Sequence, residues 1–261
     1  MNETEPAWTV TAEPVEIELT PIGLDQQKGL GDDEAVLLTA RGRRNRIRFG
    51  APRYRNYIES LMATSGTVPR DIDAERKNGY DFHEVAPTLT LLPDRDCSFV
   101  AVEFGIELSA AAEDGTECGP VTTWEIDPRE VVRELAYHER SSSEIKVGGN
   151  AGVPAAKLLA ELTKEHSYER DGVHYVRDCY GYGLNFFELG WRFQASVDHE
   201  LAGDIDDLRF VAKVPRGAKL SGRFHVAAEI AIHARVDGWL TRPHVPSRDQ
   251  PVLKARYQLS T

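Results

Sequence analysis

Cysteine is scarce in this chain, and its spacing is too wide for a disulfide framework. The 261 residues include three cysteines, Cys97, Cys118 and Cys179. An odd number with this spacing is typical of a protein from a reducing compartment. The chain also lacks CxxC, HExxH and the Cys–His spacings of zinc sites. We therefore expect no bound metal and no cofactor.

Long apolar segments are missing as well. No run approaches the roughly 18 to 20 apolar residues of a membrane-spanning helix. The opening residues, MNETEPAWTV, show neither the basic region nor the apolar region of a secretory signal peptide. These absences predict a soluble, cytoplasmic protein with no membrane partner.

Positive charge is in deficit. Lysine and arginine number 31 against 42 aspartate and glutamate residues, which gives a formal net charge of −11. An acidic surface repels nucleic acid at long range, so any phosphate binding would need a local basic patch. The rest of the composition, with 41% hydrophobic and 28% charged residues, is that of an ordinary globular protein able to bury a core.

Alternation of apolar and polar residues is the strongest pattern that is present. In FVAVEFGIEL the residues on one face are Val100, Val102, Phe104, Ile106 and Leu108. The segment FHVAAEIAIHARV alternates in the same way from residue 224 to residue 236. A period of two is typical of half-buried β-strands. Shorter segments of this kind, VEIEL, TLTLL and LRFVAKV, predict further strands.

Helix signals are fewer. Asp127 is a candidate N-cap, Pro128 suits the first helical position, and Glu130 follows Asp127 by three residues. These signals predict a helix, although the apolar residues that follow also fit the period of a strand. A second helix is predicted from Pro154 to His166, and a third, short one in RYRNYIESLMATSG.

Strands lie toward both ends of the chain, helices are inserted between them, and no βαβ alternation occurs. We therefore predict a β-dominated α+β fold with mostly antiparallel, sandwich-like sheets and two or three inserted helices. We expect a single β-rich domain over residues 1–261, with a helical insertion around 127–166. An exposed loop is expected around 65–79, because that segment is charged and poor in apolar residues.

The segment HYVRDCYGYGLNFFELGWRF raises the question of a catalytic cysteine. Such a nucleophile needs a base within hydrogen-bond reach. On an extended chain, His174 and Cys179 face opposite sides and lie roughly 16 Å apart. The favoured interpretation is two strands joined by a reversal in NFFELG, with Asn185 or Gly190 adopting a positive φ. A thiol-dependent hydrolase that uses Cys179 and a histidine brought close by folding stays open as an alternative.

His225, Glu229 and His233 recur at four-residue steps, as metal ligands on a helix would. On the strand that the alternation predicts, successive members of this set lie roughly 13 Å apart. Bonds of about 2 Å to one metal ion cannot span that distance. We expect a solvated or inter-strand face instead, where Glu229 pairs across with an arginine or lysine.

Arginine is concentrated in RGRRNRIRFGAPRYR. This cluster, the basic island, comprises Arg41, Arg43, Arg44, Arg46, Arg48, Arg53 and Arg55. Arginine presents a planar fork that matches phosphate and carboxylate groups, and the neighbouring tyrosines could stack on bases. The island is therefore a candidate site for a phosphate-bearing ligand, nucleic acid or an acidic protein. Pairing with acidic groups of the same molecule or of a partner subunit is the competing interpretation.

No catalytic constellation emerges, so we nominate no catalytic residue. The leading hypothesis is a soluble, non-enzymatic interaction or scaffold protein that binds another protein. The alternatives are a thiol-dependent hydrolase through Cys179 and a phosphate or nucleic-acid binder through the basic island. Edge strands could also drive self-association, so oligomerisation stays open.

Overall fold

The computed structural model describes residues 8–10, 13–19, 45–142, 167–195, 200–232, 234–236, 239–241, 244–247 and 255–260. Strands dominate these ranges, which contain two helices. Every strand pair with a defined register there is antiparallel. The predicted β-dominated, antiparallel fold is confirmed, and the helix count agrees with the expected two or three.

The elements of the first half are β1 (Thr9–Val10), β2 (Val15–Glu18), β3 (Arg46–Phe49), β4 (Arg53–Asn56), α1 (Tyr57–Ser65), α2 (Arg70–Lys77), β5 (Tyr80–Ala86), β6 (Leu89–Leu92), β7 (Cys97–Ala111) and β8 (Thr122–Asp127). Those of the second half are β9 (Glu130–Ser142), β10 (Ser167–Tyr182), β11 (Glu188–Gln194), β12 (Gly203–Ile205), β13 (Arg209–Pro215), β14 (Lys219–Ile232), β15 (Ala234–Val236), β16 (Trp239–Thr241), β17 (His244–Ser247) and β18 (Ala255–Gln258).

Three larger sheets and one two-stranded sheet hold these strands. The five-stranded sheet has the order β1-β4-β5-β13-β8, and the four-stranded sheet the order β12-β6-β3-β2. The seven-stranded sheet has the order β17-β14-β7-β11-β10-β9, with β18 also paired to β14, and β15 pairs with β16. The long central pair β14 and β7 is formed by the two segments whose alternation was strongest in the sequence.

The main hydrophobic core takes side chains from all three larger sheets. Phe49 comes from the four-stranded sheet, Phe210 from the five-stranded sheet, and Phe104, Trp191 and Phe224 from the seven-stranded sheet. Their rings pack as aromatic pairs with centroids 5.5 to 6.5 Å apart, the range in which such pairs are favourable. Four of the five residues predicted to face inward on β7 are buried, namely Val102, Phe104, Ile106 and Leu108. Val100 is only half-buried, because the register between β7 and β14 shifts next to it and Phe99 is buried instead.

Contacts group the chain into two compact units. The single domain expected from the sequence stays a prediction. The first unit comprises residues 1–131 and 177–261. The second comprises residues 132–176, of which the structure describes 132–142 and 167–176. In the second unit the chain belongs to the neighbouring strands β9 and β10.

The expected helical insertion around 127–166 is wrong in its first part, because Glu130–Ser142 forms strand β9. The local start signals at Asp127 and Pro128 are present, but the competing period of two prevails. At this point the chain passes from the five-stranded sheet into the seven-stranded sheet through a cis Asp127–Pro128 peptide bond. The second predicted helix, from Pro154 to His166, lies outside the described residues.

The backbone that follows Pro128 is fixed by two hydrogen bonds from the seven-stranded sheet. Trp191 Nε1–H donates to the carbonyl oxygen of Pro128 at 3.2 Å, and the Gly181 amide donates to the carbonyl oxygen of Arg129. A β-carbon at position 181 would lie 2.6 Å from the Pro128 oxygen. Glycine is therefore required at position 181 by the close approach of another backbone segment.

Residues 65–79 are mostly exposed but are not a continuous loop, which corrects the prediction for this segment. Helix α1 begins after Asn56, whose side chain caps the amides of residues 58 and 59, and ends at Gly66 with φ of 68°. Helix α2 follows, and its one buried residue, Ile72, packs with Phe82. Only one apolar side chain of this helix is buried, in an otherwise charged segment, so the sequence was interpreted as a loop.

Candidate functional site

The first part of the basic island pairs with acidic residues of the same sheet. Arg46 and Arg48 lie on β3, and each donates to one carboxylate oxygen of Glu16 on β2 at 2.8 Å. These two hydrogen bonds hold the pKa of Glu16 below its usual value. Arg41, Arg43 and Arg44 lie outside the described residues.

The second part of the island belongs to a charged network on the five-stranded sheet. Arg55 Nε donates to Glu84 Oε2 at 2.6 Å, and Glu84 is only 1% exposed. The other Glu84 oxygen accepts from Arg209, which also donates to Asp127 at 2.9 Å. The Trp8 ring lies 4.2 Å from the Arg55 guanidinium, in a cation–π contact.

Arg53 is placed next to this network. Its guanidinium carbon lies 5.5 Å from the Trp8 ring centroid, and its Nε is buried without a hydrogen bond. The island is thus divided between two sheets. Among the described arginines of the island, Arg46, Arg48 and Arg55 pair with acidic groups of the same molecule. Such pairing is what the competing interpretation expected.

Cys179 lies in the core of the first unit. Its side chain is 5% exposed, and it is paired in register with Phe193 on β11. Burial, with smaller contributions from Asp207 and Asp178, raises the pKa of this thiol to about 12. His174 and Cys179 both belong to the extended strand β10, Ser167–Tyr182.

His225 and Glu229 both lie on strand β14, which confirms the extended interpretation of this segment. His233 lies outside the described residues. The His225 ring occupies the space above Gly105 on β7, where a β-carbon would overlap three of its ring atoms. Within the described ranges, no group of three or more potential ligands is placed to hold a metal ion.

A second glycine, on β11, is also covered by the ring of a neighbouring residue. Gly105 is paired with His225 on one side and with Gly190 on the other. Gly190 is in turn paired with Tyr182, whose ring covers it and whose hydroxyl donates to Glu103 at 3.1 Å. Two rings therefore replace the side chains that the glycines lack.

Among the described residues, the two most exposed aromatic side chains lie in the turn between β10 and β11. In this segment, the phenylalanine turn (residues 183–187), Phe186 is 65% exposed and Phe187 is 54% exposed. The strand–turn–strand interpretation of this segment is confirmed, and Asn185 adopts the predicted positive φ, at 66°. Gly190, the alternative position for that φ, lies within β11.

The phenylalanine turn is held by hydrogen bonds to two other strands. The carbonyl oxygen of Phe186 accepts from both the amide and the hydroxyl of Thr123 on β8, at 2.9 and 3.0 Å. The Asn185 amide donates to the Thr123 carbonyl at 2.8 Å. Leu108 on β7 donates its amide to Phe187. The backbone is thereby fixed while the two rings project outward.

Gly183 adds a steric restriction to the same turn. Its φ is 93°, a conformation that glycine adopts readily and other residues rarely do. A β-carbon here would overlap the backbone of Glu188. The turn therefore has one tight glycine and one left-handed asparagine, and both restrict its conformation.

The sequence interpretation recognised this turn but not its exposed rings as a site. The signal was available in the letters NFFELG, because turns are usually built from small and polar residues. Two adjacent phenylalanines in such a position have no inward strand face to occupy.

A cleft lies at the end of β8. It has a volume of about 550 Å³, within the range typical of ligand pockets. Its charged lining residues are Glu125, Asp127, Arg129, Glu130 and Arg209. The Tyr57 hydroxyl donates to Glu125 at 2.7 Å, and burial together with this bond raises the pKa of Tyr57.

Comparison with known proteins gives no family assignment. No protein-family model matches the chain, and no curated protein sequence matches it. Among the described residues, neither helix has the length and apolar character needed to cross a membrane. Functional inference therefore depends on the site geometry alone.

Proposed function

We propose that this chain is a non-enzymatic interaction protein that binds a protein partner through the phenylalanine turn. The observation that carries the proposal is the pair of exposed rings, Phe186 and Phe187, on a backbone fixed by Thr123 and Leu108. Single exposed apolar side chains are ordinary on soluble proteins. Two adjacent aromatic rings on a fixed turn instead form a preorganised anchor of the kind enriched at interface centres.

The contribution of the two phenylalanine rings to binding follows from their exposed area. Full burial of a phenylalanine side chain contributes about 1.5 to 3 kcal/mol. Because both rings are already partly covered, their combined burial in a complex would contribute about 2 to 4 kcal/mol, which is about 30- to 1,000-fold in Kd. A turn that is already ordered loses little conformational entropy on binding.

The position of Cys179 favours this proposal over a thiol-dependent hydrolase. A nucleophilic thiol needs to be accessible and to have a lowered pKa. Cys179 is buried, and its pKa is raised to about 12. A thiol in this environment stays protonated at neutral pH.

The pairing of Arg46, Arg48 and Arg55 favours the proposal over a phosphate or nucleic-acid binder. A bound phosphate would have to displace Glu16 or the buried Glu84 from these guanidiniums. The chain's net charge of −11 adds long-range repulsion of polyanions. The hypothesis of a phosphate or nucleic-acid binder is then left with an anion site at Arg53.

The proposal includes two further expectations, one about the cellular compartment and one about the arrangement of the sheets. We place the protein in the cytoplasm, and the absence of a disulfide at Cys97, Cys118 and Cys179 supports a reducing compartment. We also propose that the sheets stack in a sandwich-like manner, which the core shared by the three larger sheets supports.

Site-specific photo-crosslinking tests the proposal. A benzoylphenylalanine is placed at position 187, or at position 62 as a control, since Met62 is also a large exposed apolar residue at 49%. Position 187 should give one discrete adduct with a protein from the host cell, and position 62 should not. Adducts of equal yield from both positions would contradict a specific site.

The crosslinked partner then allows a quantitative measurement. Its Kd is determined by calorimetry for the wild type, for Phe186→Ser/Phe187→Ser and for Met62→Ser. The double variant should bind at least about tenfold more weakly, because the buried apolar area is lost, while Met62→Ser should match the wild type. Equal Kd values for all three proteins would refute the proposed site.

A further inference from the structure

We propose that Asn78 is a site of spontaneous deamidation, at which the backbone nitrogen of Gly79 attacks the Asn78 side chain when the last turn of helix α2 opens. This covalent modification is independent of the proposed docking function. Three observations support it: the residue that follows Asn78, the exposure of the Asn78 side chain, and the small buried surface of α2.

Asn78 is the one asparagine in the sequence that is followed by glycine. In deamidation, the backbone nitrogen of the following residue closes a five-membered ring on the asparagine side chain, and a side chain on that residue obstructs its approach. Gly79 has no β-carbon, and open space surrounds the position where one would lie. The Gly79 nitrogen therefore meets no steric obstacle of its own.

The Asn78 side chain is also free to react. The Asn45 side chain is buried and accepts from the Asp94 amide, and the Asn56 side chain caps helix α1. Asn78, in contrast, is exposed, and its side chain makes no hydrogen bond in the part of the chain that the structure describes. Its amide group is therefore available both to water and to the neighbouring backbone.

The folded conformation of Asn78 restrains the reaction. With φ of −76° and ψ of 0°, the Gly79 nitrogen points away from the Asn78 side chain, and its N–H donates to the Arg76 carbonyl at 3.1 Å. Ring closure requires rotation about the Asn78 Cα–C bond, which breaks that hydrogen bond. Helix ends fray readily, and Ile72 is the one buried residue of α2, so this opening requires little free energy.

The reaction needs water as its one co-reactant. The bond from the Gly79 nitrogen to Asn78 Cγ forms as the Cγ–Nδ2 bond breaks, and ammonia leaves with the proton from the Gly79 nitrogen. Water then opens the ring at one of its two carbonyl carbons. Attack at Cγ gives aspartate, and attack at the main-chain carbon gives isoaspartate, whose main chain runs through the side-chain carbons.

The two products affect the start of strand β5 differently. The Gly79 carbonyl oxygen accepts from the Arg216 amide at 2.8 Å, and Tyr80 pairs with Pro215 on β13. Isoaspartate adds a methylene to the main chain before Gly79 and so displaces these contacts. Aspartate retains the backbone, and the basic residues in the last turn of α2 offset its charge at the helix C-terminus.

The test incubates the full chain at pH 8 in water enriched in ¹⁸O and follows its peptides by mass spectrometry. The peptide with Asn78 should gain the mass of deamidation with one ¹⁸O atom, because water supplies that oxygen. Asn185 is the internal control. It is also exposed, and the amide that follows it also donates to a backbone carbonyl at 3.1 Å, but that amide belongs to Phe186.

Conversion at position 78 should be at least about tenfold faster than at position 185, because the phenylalanine side chain raises the activation barrier for ring closure. Gly79→Ala should slow conversion at position 78 by a similar factor for the same reason. Equal rates at positions 78 and 185, or no ¹⁸O-labelled product at position 78, would overturn the inference.

Ile72→Val and Ile106→Val are matched variants that test the opening of α2. Each removes one methyl group from a buried isoleucine, the first in α2 and the second in the main core. Ile72→Val should accelerate the reaction at Asn78 about two- to tenfold, because α2 opens more readily, and Ile106→Val should leave the rate unchanged. An unchanged rate in Ile72→Val, or equal acceleration in both variants, would refute reaction through the opened helix end.

Discussion

Arg55 Nε lies 2.6 Å from Glu84 Oε2 in an ion pair whose side chains are 8% and 1% exposed. The pair joins β4 to β5 on the face of the five-stranded sheet opposite the main core. Two charges removed from water in this way stabilise the fold only while both are present, because an unpaired buried charge is strongly destabilising.

Arg55→Met should therefore lower the free energy of unfolding by about 3 kcal/mol, since Glu84 keeps only its longer contact to Arg209. Urea denaturation measures this change. The control, Arg46→Met, removes an arginine from an exposed pair and should leave the midpoint nearly unchanged. Adding Glu84→Gln to Arg55→Met should recover part of the loss, and a loss that simply added would contradict the coupling.

Gly183→Ala should destabilise the protein more than Gly217→Ala. Both glycines have positive φ, at 93° and 74°, but a β-carbon at position 217 would meet open space, whereas one at position 183 would overlap Glu188. The left-handed conformation alone costs about 1 to 2 kcal/mol, and the overlap should add about 2 kcal/mol. Thermal unfolding of the two variants gives the comparison, and equal melting temperatures would mean that the turn can move.

Thiol labelling should distinguish the three cysteines in the folded protein. At pH 8, iodoacetamide should modify Cys118, which is partly exposed, and spare Cys97 and Cys179, which are buried. The raised pKa of Cys179, about 12, makes its thiolate population negligible at this pH. Mass spectrometry of native and denatured samples counts one and three adducts respectively, and rapid native labelling of Cys179 would revive the hydrolase hypothesis.

Alkaline pH should destabilise the fold through the same thiol. Because the pKa of Cys179 is raised from 9.0 to about 12, the unfolded chain loses this proton first. The corresponding stability is complete below pH 9 and is lost as the pH rises toward 12. Tyr57 and Tyr182, whose pKa values are also raised by burial, act in the same direction above pH 10.

Chemical denaturation between pH 8 and pH 10 measures this slope. Cys179→Ala should unfold at lower denaturant overall, because it leaves a small cavity. Its stability should nevertheless fall less steeply above pH 9 than that of the wild type. Parallel slopes for the two proteins would show that the thiol does not titrate differently in the folded and unfolded states.

The sequence was most informative where apolar and polar residues alternate along a strand. The alternation in Val102–Leu108 predicted both the strand and its buried face, because burial on one side of a sheet imposes that period directly. The same reasoning placed His225 and Glu229 on a strand, where they cannot share a metal ion. A local pattern of this kind is enough to predict the strand and the face of it that is buried.

Prediction failed where a distant contact decides the outcome. The signals at Asp127 and Pro128 favour a helix locally, but Trp191 and Gly181 fix the following backbone into a sheet corner. The buried charge of Glu84 was equally hidden, since its partners lie 29 and 125 residues away. A short stretch of sequence does not contain both members of such an ion pair.

The arrangement of His225 over Gly105 has an evolutionary consequence. The imidazole fills the volume that any larger residue at position 105 would claim, so neither position can change freely while the other is kept. Related chains should therefore vary the two positions together, exchanging a glycine beneath a ring for a bulkier residue beneath a small one. Covariation of this pair in orthologues would report the contact without any further structure.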